Sequence, residues 1–101
     1  MSKAALDHYT RSRTHELAKK GIRINNLNPG IVKTNILTAM GFPEEKKQSF
    51  YEHYEMKIPL GRSAKAEEMA KPIAFLASDD ASYITGVALL ADGGHSQFAD
   101  V

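Results

Sequence analysis

The chain of 101 residues is long enough for one small domain, and its 43% hydrophobic and 25% charged residues exclude a disordered or fibrous protein. Its net charge of +1, with basic and acidic residues interleaved, gives no strong field, so we expect neither nucleic acid nor a membrane as partner. The chain has no cysteine and no segment apolar enough for a signal peptide or a membrane span, so we expect a cytoplasmic or organelle-matrix protein that is not secreted.

The first predicted elements are a helix and a strand. Residues 2–20 contain neither glycine nor proline, place several apolar side chains on one stripe and are followed by Gly21, which predicts a helix with a glycine stop. The alternating apolar residues after Gly21 predict a strand that ends near Asn26 or Leu27. The Asn-Pro-Gly run at 28–30 then predicts a turn.

The middle of the chain is the least regular part. Residues 31–60 predict a lid of short helices, including a polar helical stretch from Glu44 to about Lys57. Residues 66–77 have a helical apolar pattern with two glutamates in the first turn, where carboxylates suit the helix dipole, and predict a second core helix. Pro72 removes one backbone hydrogen bond inside this helix, so we expect either a kink or a late helix start.

The last predicted strand is the apolar run at 87–91, which is bounded by Gly86 and by Asp92-Gly93-Gly94 and is typical of a fully buried parallel strand. Two strands separated by about sixty residues that contain helices imply a parallel pair joined by a right-handed crossover. The order helix, strand, helical lid, helix, strand therefore predicts an α/β fold.

The chain carries no common motif for a phosphate loop, a metal site or an activated nucleophile. Its seven glycines form neither G-x-G-x-x-G nor a P-loop, and no serine lies in G-x-S-x-G. The acidic pairs are adjacent in sequence, so the two members of a pair do not converge on one point of a helix. We predict no metal site, because metal-ligand spacing is lacking in all four histidines, His8, His15, His53 and His95.

Five segments follow one another as they do in a known family. They are Ser2-Lys3-Ala4-Ala5, residues 28–34, Leu60-Gly61-Arg62, residues 75–86 and Asp92-Gly93-Gly94. Together they resemble the C-terminal part of the short-chain dehydrogenase/reductase family, in particular its 3-oxoacyl-ACP-reductase-like members. The resemblance covers nearly the whole chain, and residues 35–58, which lack a family pattern, correspond to the variable substrate lid.

The resemblance implies a fold and an activity. The chain is expected to be the C-terminal part of a Rossmann-like doubly wound parallel sheet, with residues 1–101 forming a single partial domain. The family consists of NAD(P)-dependent oxidoreductases that transfer hydride between nicotinamide and a carbonyl or alcohol substrate, so the implied cofactor is NAD or NADP. The choice between the two cofactors is made in the other half of the family fold.

Lys3 matches the lysine of the family motif Y-x-x-x-K, in which the tyrosine is the general acid/base and the lysine binds the nicotinamide ribose and lowers the tyrosine pKa. Residues four apart share a helix face, which lets an ammonium lie beside a phenol. No tyrosine of this chain has a lysine four residues later, and the matching tyrosine would precede Met1. The resemblance thus implies that Lys3 is a catalytic and cofactor-binding residue. It also implies a fragment that is inactive alone, without the tyrosine, a substrate-binding serine and the glycine-rich loop.

A second family element, P-G-x-V-x-T, lies at a strand end, where open α/β sheets bind ligands. In the family, backbone groups at the Val32 position hold the nicotinamide carboxamide, and a hydroxyl at the Thr34 position contacts the cofactor nearby. The resemblance therefore implies that Pro29, Gly30, Val32 and Thr34 bind the cofactor. The alternative is an ordinary strand-end turn followed by a threonine that starts a helix.

The family is usually tetrameric, so the resemblance implies a homotetramer assembled through residues 66–91. Arg13 and His15 depart from the family pattern, because relatives carry apolar residues at these positions on a helix that packs between subunits. One hypothesis is that Met1 is an internal methionine of a longer parent. The alternative function is that of a genuine short, non-catalytic protein that associates with full-length relatives.

The substrate is expected to be a small carbonyl or alcohol compound. Two interpretations stay open for the apolar residues of the lid, an apolar substrate pocket or simple lid packing. These residues are Phe42, Phe50, Tyr51, Tyr54 and Met56.

Overall fold

The structure is a computed structural model that describes residues 3–97, apart from the side chain of Lys3. Helices and strands are mixed along this part of the chain, and a single turn of 3₁₀ helix, Asp79–Ala81, precedes the last strand. The elements in order are α1 Lys3–Lys19, β1 Asn26–Pro29, β2 Val32–Lys33, α2 Ile36–Ala39, α3 Glu44–Glu55, β3 Ala64–Lys65, α4 Ala66–Ala77 and β4 Ala88–Ala91.

The chain divides into two compact units. The described part of the first unit comprises residues 3–28 and 70–90, and that of the second comprises residues 29–69 and 91–97. In the first unit, Thr10, Leu76 and Ala81 are buried, and in the second Leu37 and Ile58 are buried. Each unit therefore has a small core of its own, and the single domain predicted for residues 1–101 stays a prediction.

Parallel pairing joins the strands of residues 3–97 in two sheets, β1 with β4 and β2 with β3. Val32 is opposite Ala64 in the β2–β3 pair, which is parallel. Beside β1, the Asn26 amide donates to the Val87 carbonyl (2.9 Å) and the Gly30 amide to the Ala91 carbonyl (3.2 Å). Because both partners advance in the same direction, β1 and β4 are parallel, and the α/β prediction is confirmed.

The position of the first strand was predicted wrongly. It begins at Asn26, where the sequence pattern predicts its end, and it continues through Pro29 in place of the predicted turn at 28–30. Proline is tolerated there because it stands at the strand end, where one missing backbone donor interrupts no ladder.

Side-chain hydrogen bonds explain why the segment before Asn26 is not a regular strand. The Ile24 amide donates to the Thr85 hydroxyl (3.0 Å), a side chain rather than a backbone carbonyl. The Asn25 side chain donates to the Ile84 carbonyl (3.1 Å) and accepts from the Val87 amide (3.0 Å). The Ile24 carbonyl still accepts from the Gly86 amide (2.7 Å), but side chains replace backbone partners at Ile24 and Asn25. The regular strand therefore starts at Asn26, which the apolar alternation does not reveal.

The last strand is confirmed at Ala88–Ala91, but the prediction that it is fully buried was wrong. Leu90 is 43% exposed, and the other three residues are half-buried. A parallel strand is buried on both faces only when further strands and helices cover the sheet. Within residues 3–97 this sheet has two strands, so much of its surface stays accessible.

The predicted helices are confirmed, including the lid helices α2 and α3. Helix α4 begins at Ala66 and contains Pro72, so the late start was wrong. Its first turn is stabilised by Glu68, whose carboxylate accepts a hydrogen bond from the Lys65 amide (2.9 Å), as the third residue of a capping box does. This cap fixes the helix start ahead of the proline.

Candidate functional site

Four of the five predicted site residues lie on one short segment of the second unit. Pro29 ends β1, Gly30 follows it, Val32 opens β2, and Thr34 follows β2 directly. The segment is thus a strand end that leads into the lid, the place where parallel sheets bind ligands.

The backbone of Val32 faces away from β3. Val32 is opposite Ala64, and the Ala64 amide donates to the carbonyl of Ile31 (2.9 Å), the residue before Val32. In a parallel ladder, a residue such as Ala64 bonds to the two neighbours of the residue opposite it, here the neighbours of Val32. The N–H and C=O of Val32 itself therefore point away from β3. The half-buried Val32 therefore presents an adjacent donor and acceptor, which match the acceptor and donor of a primary carboxamide.

Gly30 allows a close approach between two backbone segments. A Cβ atom at this position would lie 2.7 Å from the Asp92 Cβ and 2.9 Å from its Cα. No side chain fits there, because real Cβ atoms do not approach backbone so closely. Close packing against Asp92 thus explains why residue 30 is a glycine. The cofactor-binding role of Gly30 stays a prediction.

The loop after β4 is ordered by the Asp92 carboxylate, which accepts hydrogen bonds from the Ser96 hydroxyl, the Ser96 amide (2.9 Å) and the Gly94 amide (3.0 Å). These bonds, with that of the Ser96 hydroxyl first, lower the pKa of Asp92 below its ordinary value. The φ angle of Gly93 is +65°, and a Cβ there would lie 2.8 Å from the Ile58 Cγ2, which gives the Asp-Gly-Gly run a packing role.

Thr34 is exposed at the entrance to the lid. Its hydroxyl oxygen accepts a hydrogen bond from the Ile36 amide (3.3 Å), at the start of α2. A threonine hydroxyl has one donor besides its lone pairs, and this donor is not engaged by any hydrogen bond within residues 3–97. Thr34 can therefore start the helix and still donate to a ligand.

Strand β3 is stabilised by the carboxylate of Glu68. Glu68 accepts two hydrogen bonds from the Arg62 guanidinium, at 2.7 and 2.8 Å, and a third from the Lys65 amide. The Arg62 hydrogen bond and then the Lys65 amide lower the pKa of Glu68 to about 2. Arg62 precedes β3 and Lys65 ends it, so Glu68 binds both ends of this strand. Strand β3 in turn positions β2 and Val32.

Lys3 is the first residue of α1, in the first unit, and its side chain lies outside the described part of the chain. One helical turn later, the Asp7 carboxylate accepts from the side-chain amides of Asn26 (2.9 Å) and Asn28 (3.0 and 3.2 Å). Asn28 is 8% exposed. No sequence pattern predicted this cluster, although the four-residue spacing of Lys3 and Asp7 predicts that the two residues share a helix face.

A cavity of about 600 Å³ lies beside Thr34, between the end of β2 and the helices α2 and α3. Tyr51 is the one residue of the predicted apolar set that lines it. Phe50 packs against Tyr51 and Tyr54, with ring centroids 5.5 and 4.8 Å apart, and Met56 is 87% exposed. The geometry therefore favours lid packing over an apolar pocket for Phe50 and Tyr54, whereas Met56 is left in solvent.

Two other kinds of feature are absent from the described residues. Among residues 3–97, no group of three or more histidine, aspartate or glutamate side chains is placed to hold a metal ion. No helix in the same range is both long and apolar enough to cross a membrane.

Related proteins match nearly the whole chain. The family described as enoyl-(acyl carrier protein) reductase matches residues 1–96. The 4-formylbenzenesulfonate dehydrogenase of Comamonas testosteroni is 43% identical over 96 residues, which are 94% of this chain and 37% of that protein. The L-rhamnose 1-dehydrogenase (NAD(P)(+)) of a Sphingomonas species is 43% identical over 93 residues, 92% of this chain and 35% of that protein.

A solved structure has the same fold. A short-chain dehydrogenase/reductase of Caenorhabditis elegans, crystallised with cofactor, is 46% identical with a TM-score of 0.84, and the match covers 96% of this chain and 37% of that one. The chain thus spans slightly more than a third of the length of these relatives. The match over residues 1–96 and the shared fold show that the chain belongs to the short-chain dehydrogenase/reductase family.

Proposed function

We propose that the chain forms the nicotinamide-side part of an NAD(P)-dependent oxidoreductase that acts on a small carbonyl or alcohol. The observation that carries the proposal is the Val32 backbone, which presents a donor and an acceptor away from β3 at a strand end. The Sphingomonas relative is named as an NAD(P)(+) dehydrogenase, and the Caenorhabditis structure contains a cofactor, which supports the same proposal.

Each residue has a separate task in this proposal. The Val32 amide and carbonyl bind the nicotinamide carboxamide, and the Thr34 hydroxyl donates a hydrogen bond beside it. The bound dinucleotide supplies or accepts the hydride. Lys3 binds the ribose and, through its positive charge, lowers the pKa of a tyrosine one helical turn earlier. Pro29 and Gly30 fix the strand end from which Val32 projects.

Titration of the chain with reduced nicotinamide mononucleotide, followed by two-dimensional amide NMR spectra, tests this assignment. We expect the Val32 amide resonance to shift because that amide donates to the carboxamide. The Thr34→Val variant should bind the mononucleotide about fivefold more weakly, the loss expected for one hydrogen bond. Thr38→Val is the matched control, since Thr38 lies on α2 and its hydroxyl oxygen already accepts from the Lys47 ammonium (2.8 Å), and its affinity should be unchanged. An unmoved Val32 resonance, or equal losses in both variants, would contradict the assignment.

The chain by itself is proposed to be catalytically inactive, because it contains no Y-x-x-x-K motif and so no phenol that Lys3 can activate. Purified chain should not oxidise or reduce any carbonyl or alcohol pair with NAD or NADP, as followed by the absorbance of the reduced nicotinamide. Measurable turnover would show that another group serves as the acid/base.

A second proposal concerns association, either into a homotetramer or with full-length relatives, through residues 66–91. It is supported by exposed apolar side chains in this range, with Ile73 52%, Phe75 43% and Leu90 43% exposed. Light scattering should show an oligomer that Phe75→Glu dissociates, because a buried carboxylate without a partner is costly at an interface. A monomer at high concentration that also fails to bind a full-length relative would contradict this proposal.

A further inference from the structure

The cavity beside Thr34 is lined almost throughout by polar side chains. Apart from Tyr51, every lining residue carries a hydroxyl, an amide, a carboxylate or an ammonium group. The cavity volume of about 600 Å³ is ample for a small substrate. We call this space the lid cavity, and its residues come from the end of β2, the following loop, α2 and α3 within the second unit.

The charges of the lid cavity do not balance. Four glutamates and two lysines line it, which gives a net charge of −2. Both lysines are already paired, Lys33 with Glu55 at 3.5 Å and Lys47 with Glu44 at 2.5 Å. No lining cation is therefore left to meet an anionic ligand, and the excess carboxylates repel one.

The two remaining glutamates differ in their contacts. Glu52 accepts a hydrogen bond from the Gln48 amide at 2.9 Å. Glu45, the second residue of α3, is exposed and has no hydrogen bond or ion pair among residues 3–97. Its carboxylate can accept hydrogen bonds from a ligand without breaking a contact of the protein.

Tyr51 gives the lid cavity its one extended apolar surface. The Lys33 ammonium lies 5.2 Å from the centroid of its ring and also contacts Glu55. A ligand that places C–H groups on this ring and hydroxyls on the surrounding carboxylates exchanges its hydrogen bonds to water for hydrogen bonds to the protein. A purely apolar ligand would remove water from the carboxylates and supply no hydrogen bond in return.

We propose that the lid cavity takes a small neutral polyhydroxylated substrate, a polyol or sugar, and discriminates against anionic and apolar alcohols. The inference rests on the proposed function, because a nicotinamide held by Val32 and Thr34 exchanges hydride with a substrate in the adjacent cavity. Glu45 is the specificity-determining residue, since it carries one of the two excess negative charges and, unlike Glu52, has no hydrogen bond or ion pair among residues 3–97.

Three probes of similar size test the proposal by saturation-transfer NMR on the chain: erythritol, its carboxylate analogue erythronate, and cyclohexanol. Erythritol should bind about fivefold or more tightly than erythronate at low salt, the discrimination expected from one or two partly screened charges. High salt should shrink this ratio, because screening weakens repulsion between exposed charges. Equal affinity for erythritol and erythronate, a preference for cyclohexanol, or no binding of erythritol would overturn the proposal.

A matched pair of variants separates the cavity charge from the total charge. Glu45 and Glu67 are each the exposed second residue of a twelve-residue helix, but only Glu45 lines the lid cavity. Glu45→Lys should bring the affinities for erythritol and erythronate close together, and Glu67→Lys should leave their ratio unchanged. Equal effects of the two variants would assign the discrimination to the overall charge and overturn the role of Glu45.

The polyol proposal and the proposed function are tested by separate signals, so one can fail without the other. Nicotinamide binding is read at the Val32 amide, and polyol selectivity is read from the ligand signals. Selectivity without a Val32 shift refutes the cofactor assignment alone. A Val32 shift without selectivity refutes the polyol proposal alone.

Discussion

Each of the two compact units contains an arginine that donates several hydrogen bonds, but only the arginine of the first unit reaches partners that are distant along the chain. In the first unit, Arg23 donates to the backbone carbonyls of Leu76 (2.7 Å), Ser78 (3.1 Å) and Ile84 (3.2 Å). In the second, Arg62 forms an exposed ion pair with the Glu68 carboxylate.

The difference lies in solvent access and in what is lost when the arginine is removed. The bonds of Arg23 are partly buried and satisfy carbonyls at the C-terminal end of α4, where the helix dipole favours a cation. Without Arg23 these acceptors lose their donor. The Arg62–Glu68 pair lies in solvent, where water and salt replace much of what it contributes. The same residue type therefore matters far more in the first unit.

The comparison predicts that the second unit depends on close packing more than on its ion pair. Gly30→Ala should have the largest effect, a loss of about 3 kcal/mol in the free energy of unfolding, because its Cβ would overlap Asp92. Gly61→Ala is the matched control. Gly61 has a φ of +79° but no atom within 4 Å of an added Cβ, so only backbone strain of about 1 kcal/mol is expected. Urea unfolding compares the two variants, and equal losses would show that space at Gly30 is not the cause.

The second prediction tests the first unit. Arg23→Met keeps a long apolar side chain but removes the donors, and should lower the free energy of unfolding by about 2 kcal/mol. Arg11 is exposed on α1, so Arg11→Met should change stability by less than about 0.5 kcal/mol. If both variants unfold at the same urea concentration, the carbonyl contacts of Arg23 contribute nothing beyond an ordinary surface charge.

The smallest effect is expected at Glu68, and it should depend on pH. Its pKa is lowered from 4.5 to about 2 in the folded chain, so the ionised carboxylate stabilises the fold. This contribution is present above pH 4.5 and is lost as the pH falls towards about 2. The melting temperatures of the chain and of Glu68→Gln should differ slightly at neutral pH and converge over this window. A difference that persists below pH 2 would mean that the ion pair is not its source.

Sequence reasoning succeeded where a pattern is local. The helices α1, α3 and α4 were predicted because long segments without turn residues, or with a clear helical apolar period, determine a helix from neighbouring positions alone. The parallel pairing of β1 and β4 followed from the helices between them. The two-residue strands β2 and β3 were missed, because two residues are too few to show a period.

The candidate site was predicted in part. The resemblance placed Pro29, Gly30, Val32 and Thr34 on one strand end, and the structure adds the outward direction of the Val32 backbone. Neither local pattern nor resemblance indicated that the lid cavity is polar. The side chains that decide this come from β2, α2 and α3, and a sequence does not state which of them share a cavity.

By itself, the sequence determined the helices, the α/β class and the family, because each depends on residue types at fixed short spacings. Only the tertiary structure decided where β1 begins, which atoms Arg23 contacts and why Gly30 must be glycine. The partners in these contacts are distant along the chain, as Arg23 and Leu76 are, 53 residues apart. Their pairing depends on how the chain folds back on itself, and no periodicity in the sequence records it.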